Sequence, residues 1–282
     1  VLMISVSVVI PVYNRSSELL RALASVDAQK LKANEVIVVD DGSDINIETL
    51  VNRHNPRAKI IRQSHGGVSS ARNTGVRHSQ NDWIAFLDSD DEWHPEKLTQ
   101  QTRQLSKTGM LIGHTDEIWI RNGVRVNPQK KHQKSGGRVF SKCLPLCLIS
   151  PSSVIINKSF LNDIGGFDES LPACEDYDLW LRISAKFTID YIHKPLITKY
   201  GGHGDQLSQK YWGMDRFRIY SMEKIYTGGR LSNDQAIELL KELIKKCNIF
   251  SNGANKHNNP HLYSEYAKKK DKYISELDNL MS

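Results

Sequence analysis

Three acidic clusters carry the chemistry this sequence can offer. Asp88-Ser89-Asp90-Asp91 follows the apolar run Ile84–Leu87, Asp40-Asp41-Gly42-Ser43 follows Val36–Val39, and Glu175-Asp176 opens an apolar segment that holds Leu179, Trp180, Leu181 and Ile183. Carboxylates one residue apart at a strand end, as Asp88 and Asp90 are, suit a hard divalent cation. Mg²⁺ or Mn²⁺ takes one or two carboxylates and fills its shell with water and phosphate oxygens. A cation bridging two phosphates is a Lewis acid that turns a diphosphate into a workable leaving group. The alternative is an acidic loop that caps the next helix through Asp90 or Asp91. A carboxylate at the start of a helix is held ionised by the helix dipole, so Glu175 or Asp176 could take a proton from a hydroxyl. Both could also be ordinary first-turn acids.

A second group suits a nucleotide. The run Val6–Ile10 ends in Pro11-Val12-Tyr13-Asn14-Arg15. Tyr13 can stack on a base, the backbone around Pro11 can bond the base edge, and Asp41 can accept from a base N–H. Otherwise Asp40 to Ser43 is a polar turn ending a buried strand. Arg72 lies in a segment that starts His65-Gly66-Gly67-Val68-Ser69-Ser70. A helix N-terminus with free N–H groups and a nearby guanidinium suits a diphosphate, although Arg72 could equally pair with a strand-tip aspartate. No GxxxxGK[ST] loop is present, which argues against a P-loop triphosphatase.

These residues need elements to position them. Val6–Ile10, Val36–Val39, Lys59–Ile61 and Ile84–Leu87 are short β-branched runs, as expected of strands covered on both faces. Helices are expected over Ser17–Gln29, from Gly67 to His78, and after Trp93 with Pro95 in its first turn. Alternating strands and helices predict an α/β fold with a mainly parallel sheet. Ligands on such sheets bind beyond the carboxyl ends of the strands, so the three strand tips should share one edge. Further on, Met110–Ile120 and Val124–Val126 predict a strand pair around Asn122-Gly123, and Ser153–Ile156 a strand. Lys158–Ile164, Glu175–Lys186 and Asp234–Cys247 predict helices. Gln129–Gly137 reads as a mobile loop, a candidate lid hinged at Gly136-Gly137. Asn248–Pro260 reads as a polar linker before a Lys-rich last helix.

Bulk properties narrow the classes. Of 282 residues, 39% are hydrophobic and 25% charged, which is ordinary globular composition. No apolar run approaches the roughly 20 residues of a membrane span, and the opening VLMISVSVVIPVYN reads as a buried strand, not a leader. Cys143, Cys147, Cys174 and Cys247 are too scattered for a disulfide scaffold, so they are expected reduced and the location cytoplasmic. The net charge of +6 is partly concentrated at residues 121–138 and at Lys268, Lys269, Lys270 and Lys272. With no nucleic-acid motif beside it, that charge reads as a solvated surface, with peripheral contact to anionic headgroups as the alternative.

The motifs VSVVIPVYN, VIVVDDGS, GVSSARNTGV, IAFLDSDD and ACEDYDLWLR occur in that order. Together they resemble the GT-A glycosyltransferases of family 2, over roughly residues 4 to 205. The resemblance implies a Rossmann-like, GT-A sheet flanked by helices, divalent metal, a nucleotide-sugar donor (UDP-sugar by default), and inversion at the anomeric carbon. Carried residue by residue, it implies that Pro11, Tyr13, Asn14, Arg15, Asp41, Arg72, Asp88 and Ser89 bind the donor. Asp90 would face the metal, with Asp88 on ribose or on metal through water. Asp176 would be the general base, with Glu175 supporting it or binding acceptor. His203 would reach the metal or diphosphate.

The acceptor is then a saccharide or lipid-linked saccharide, in surface polysaccharide assembly. Residues 1–226 are expected to form the catalytic domain, divided into a nucleotide half (1–108) and an acceptor half (109–226), with 227–282 a helical C-terminal extension. Trp93, Trp180 and Trp212 could stack on sugars, although core positions account for each more simply. A metal-dependent nucleotidyltransferase or phosphohydrolase would also use Asp88 and Asp90. It leaves Asp41 and Asp176 without roles.

Overall fold

The first strand, β1 (Val6–Val12), is buried at every position. That is what an unbroken β-branched run requires: neighbours on both edges and helices on both faces. Its neighbours are β2 (Glu35–Asp40) on one side and β4 (Trp83–Phe86) on the other, with β3 (Lys59–Arg62) outside β2, all parallel. Helices α1 (Ser17–Asp27), α2 (Ile47–His54) and α3 (Gly67–His78) connect these strands. Gly75 lets α3 lie close on β1, since a Cβ there would stand 2.3 Å from Val9 Cγ1. Helix α2 is not anticipated from the sequence. It owes its start to Asn46, whose side chain accepts from the Thr49 N–H at 2.8 Å.

The structure is a computed structural model and describes residues 4–127, 129–202, 211 and 213–282. Its second half adds β5 (Glu92–Trp93), β6 (Ile112–Arg121), β7 (Val124–Val126), β8 (Ile155–Asn157) and β9 (Asp190–Gly201). The sheet runs β3-β2-β1-β4-β8-β6-β9-β5, with β7 paired to β6. The parallel order of the first half therefore passes into a mixed one: β8 is antiparallel to β4 and β6, β9 is parallel to β6, and β5 is antiparallel to β9. Among the helices here are α4 (Lys97–Thr108), α5 (Phe140–Cys143), α6 (Lys158–Ile164), α7 (Glu175–Ser184), α8 (Asp215–Thr227), α9 (Asn233–Lys256) and α10 (Pro260–Met281).

Two expectations need correction. Helix α9 continues through Asn248–Lys256, where the polar composition predicts a linker. Ser251 and Ala254 are buried there and Phe250 packs on Tyr266 of α10 with ring centroids 4.3 Å apart, so packing overrides local propensity. Nor is the 129–137 segment a free lid. Lys134 is buried against Glu117 at 2.9 Å and donates to the Leu148 carbonyl at 2.8 Å. Gly137 pairs with Ile189, and a Cβ on Gly136 would lie 2.6 Å from Tyr191 Cβ, so the proposed hinge is pinned to β9.

The last two helices join the core of the second half. Leu239, Leu240, Leu243, Cys247, Tyr266 and Tyr273 belong to the same buried cluster as Tyr177, Trp180, Ile219 and Met222. None of the described helices is long and apolar enough to cross a membrane.

Candidate active site

The tips of β1, β2 and β4 do share an edge, as the parallel order demands. They line a cavity of about 990 Å³ that is closed on the far side by the start of α7. Pro11, Tyr13, Arg15, Asp41, Arg72, Asp88, Ser89, Asp90, Glu175 and Asp176 all line it. Asn14 does not. It stands in the left-handed region (φ 50°) and ties the β1 tip to the β2 turn. Its N–H donates to Ser43 Oγ at 2.9 Å, its Nδ2 to Asp44 Oδ2 at 2.9 Å, and its Oδ1 accepts from the Asp44 N–H at 2.7 Å. Asn14 is thus better described as a clamp between the β1 tip and the β2 turn than as a ligand group.

Asp41 is 3% exposed, and four donors surround its carboxylate. Oδ1 accepts from Gln63 Nε2 at 2.8 Å and the Gly66 N–H at 2.9 Å; Oδ2 accepts from the Gly67 N–H at 2.8 Å and meets His65 Nδ1 at 2.9 Å. A carboxylate has about four lone-pair positions, so a base N–H reaches Asp41 only by displacing Gln63 or His65. The same bonds correct the expectation that Gly66 and Gly67 offer free N–H groups to phosphate. His65 also stacks on Tyr13, with ring centroids 4.3 Å apart and planes 30° apart.

Arg72 lines the cavity and is held in a buried double ion pair. It is 3% exposed, donating through Nη2 to Asp88 Oδ1 at 2.6 Å and through Nη1 to Glu175 Oε1 at 2.7 Å. Burial pushes the Asp88 carboxyl up, but Arg72 and Lys199 outweigh it and hold Asp88 below the ordinary range. Glu175 goes the other way, raised first by burial and then by its neighbour Asp176, despite Arg72.

The third acid of the strand-tip cluster, Asp91, also lines the cavity but is buried in its wall. It is 1% exposed, accepts from Ser152 Oγ at 2.6 Å, and is pushed well above the usual carboxylate range by burial. Asp88 and Asp90 remain as candidate metal ligands. Each stands in an ion pair, Asp88 through Oδ1 with Arg72 and Asp90 through Oδ2 with Arg15. Among the described residues no three His, Cys, Asp or Glu side chains gather into a closed metal cage. Two strand-tip carboxylates lining this cavity fit an open site of the Mg²⁺ or Mn²⁺ type, completed by phosphate oxygens. They do not fit a structural metal site. His203, and Trp212 among the stacking candidates, lie outside the described residues. Trp93 and Trp180 are buried at 2% and 1% and cannot serve as sugar platforms.

Asp176 lines the cavity beside Glu175, at the start of α7. Its Oδ1 accepts from the Tyr177 N–H at 2.7 Å and its Oδ2 from the Cys147 thiol at 3.2 Å. Cys174, just before Glu175, takes a left-handed backbone (φ 61°) that turns the chain into the helix.

Lys199 of β9 is a lining residue the sequence reading missed. Burial opposes its charge, yet Asp91, Glu117, Asp88 and Asp176 outweigh this and keep it protonated. No local signal marks it, because its significance depends on β9 lying between β6 and β5.

Comparison with known proteins extends this geometry. Residues 7–165 match the sequence profile described as Glycosyl transferase family 2, and residues 139–224 a second described as Glycosyltransferase like family 2. An uncharacterized glycosyltransferase of Rickettsia conorii is 31% identical over 199 residues, 68% of this chain and 32% of that protein. The chain thus spans about a third of that relative's length. The Escherichia coli UDP-Glc:alpha-D-GlcNAc-diphosphoundecaprenol beta-1,3-glucosyltransferase WfgD is 29% identical over 216 residues, 76% of this chain and 81% of that protein. Among solved structures, S. aureus TarS 1–349 in complex with UDP-GlcNAc matches with a TM-score of 0.76 at 20% identity, covering 98% of this chain and 84% of that one. At that identity the likeness speaks for the GT-A fold.

Proposed function

The chain belongs to glycosyl transferase family 2, and we propose that it moves one sugar, with inversion, from a UDP-sugar to a hydroxyl of a saccharide or lipid-linked saccharide acceptor in cell-surface polysaccharide synthesis. One observation carries this reading. A single cavity is lined by Tyr13 and Asp41, by the carboxylate pair Asp88 and Asp90, and by an acid, Asp176, at the start of α7. The UDP-Glc named for the E. coli relative, and the succinoglycan role named for ExoW of Rhizobium meliloti (40% identical over 112 residues), support the donor and pathway class.

In this reading Tyr13 stacks on the base and Asp41 accepts its N–H once Gln63 or His65 withdraws. Asp88, Asp90 and Arg15 bound the diphosphate end, with Ser89 between the two acids. A divalent cation on Asp88 and Asp90, joined by His203, would supply Lewis-acid neutralisation of the diphosphate charge. The remaining work falls to Asp176. Its carboxylate takes the proton of the acceptor hydroxyl as the new C–O bond forms at the anomeric carbon. The old bond to the phosphate oxygen breaks, and its electron pair leaves with UDP. A positioned carboxylate contributes about 10²–10⁴-fold to such a step. Glu175, paired with Arg72, holds the helix start in place.

We place residues 1–108 as the donor half and 109–226 as the acceptor half, with 227–282 packed onto the latter. Action at the cytoplasmic face of the membrane, by peripheral contact, belongs to the same proposal.

The test is incubation of the chain with UDP-glucose, UDP-N-acetylglucosamine and Mn²⁺. Slow release of UDP is expected. Release of UMP or pyrophosphate would point instead to a phosphohydrolase or nucleotidyltransferase, and overturn the reading.

A further inference from the structure

The contact between Cys147 and Asp176 has no place in the mechanism above, and it lies at the proposed reacting carboxylate. Cys147 lines the cavity in the segment between α5 and the short turn at Pro151–Ser153. That segment is held rigidly from outside. Tyr177 Oη donates to the Leu144 carbonyl at 2.7 Å, Lys246 Nζ to the Pro145 carbonyl at 2.9 Å, and Lys134 Nζ to the Leu148 carbonyl at 2.8 Å. The thiol is therefore presented by a fixed backbone. Its sulfur lies 3.2 Å from Asp176 Oδ2 and 3.3 Å from the Ile149 carbonyl oxygen. A thiol has one proton, and a charged carboxylate is the stronger acceptor of the two. Burial and the neighbouring Asp176 push the thiol well above its usual range, so it stays a protonated donor.

We propose that Cys147 is the positioning residue of the general base. Its S–H fixes Asp176 Oδ2, while the Tyr177 N–H fixes Oδ1, so the carboxylate plane is set before the acceptor arrives. A carboxyl group otherwise rotates broadly about its last torsion, and a base must meet its proton within hydrogen-bond reach. This inference rests on the reading of Asp176 as the base.

The test compares Cys147→Ser, which keeps a donor, with Cys147→Val, which removes the donor and adds one carbon. The probe is UDP-sugar hydrolysis with Mn²⁺, water standing in as acceptor, using whichever of UDP-glucose and UDP-N-acetylglucosamine raises the melting temperature. Cys147→Val is expected to lower kcat roughly 10-fold or more, the order of one lost hydrogen bond to a charged group. Donor KM and UDP affinity should stay unchanged, and Cys147→Ser should retain most of the activity. Retained activity in Cys147→Val, or equal loss in both variants, overturns the proposal. In an Asp176→Asn background Cys147→Val should cost nothing further; an additional loss there also overturns it. If Asp176→Asn alone is fully active, the base assignment itself has failed, a different result from an indifferent Cys147.

Discussion

Arg72 and Glu175 are 103 residues apart along the chain and 2.7 Å apart in space. Through its other nitrogen Arg72 also holds Asp88, so one buried guanidinium ties α3, the tip of β4 and the start of α7 together. The first and second halves of the chain are registered against each other by this three-membered contact.

Arg72→Met should therefore act on stability before chemistry. It leaves Asp88 and Glu175 without their shared partner. Removing one member of a buried pair costs about 3–5 kcal/mol. At roughly 2–4 °C per kcal/mol for a chain of this size, a fall in melting temperature well above 5 °C is expected by calorimetry. A variant that melts like the wild type but no longer binds UDP would mean that Arg72 is a ligand group after all.

Asp90 and Asp91 are sequence neighbours with opposite expected phenotypes. Asp90→Ala should weaken Mn²⁺-dependent UDP binding by titration calorimetry while the fold holds, since its carboxylate lines the cavity. Asp91→Ala should lower the melting temperature, because Ser152 Oγ loses its buried acceptor, at a cost of about 1–3 kcal/mol. Unchanged Mn²⁺ dependence in Asp90→Ala would remove it from the metal site.

His65 sits where a base should stack on Tyr13 and also occupies Asp41. Under the proposed donor reading a binding-competent site exists only when His65 has moved, and affinity falls by the fraction of time it has not. His65→Ala is expected to tighten UDP binding. Aromatic pairs are worth about 0.5–1.5 kcal/mol, which corresponds to a roughly 2- to 12-fold lower Kd. A weaker Kd would show that the imidazole helps to hold the nucleotide.

Lys97 is fully buried, its Nζ has no hydrogen-bond partner among the described residues, and it lies 4.1 Å from the centre of the Trp93 ring. Burial holds its amine well below the ordinary lysine range. The unfolded chain then binds a proton the folded chain does not, so stability declines as pH falls through the window below about 10.4. It levels off under the folded value. Lys97→Met should raise stability at neutral pH by roughly 1–3 kcal/mol, and raise it less above pH 10.5. Destabilisation at pH 7 would mean that the ammonium is retained over the Trp93 ring.

Much of this was written in the chain itself. Unbroken β-branched runs ending in Asp41 and Asp88 had to be buried parallel strands, and parallel strands put their tips on one edge. That Tyr13, Asp41, Asp88 and Asp90 would meet at one edge was legible for that reason. Period and punctuation also placed most helices. What failed were readings that depended on a partner elsewhere. Asn14 is polar at a strand tip like Tyr13, and only the position of Ser43 and Asp44 makes it a clamp. Asp91 is indistinguishable from Asp90 until Ser152 buries it. Residues 248–256 look like linker until Tyr266 packs on Phe250.

Residue type and spacing determined which chemistry was on offer and which edge would hold it. Tertiary structure alone decided which of those groups were already engaged. A carboxylate or guanidinium binds its nearest available partner, and that partner, as with Arg72 and Glu175, can lie a hundred residues away.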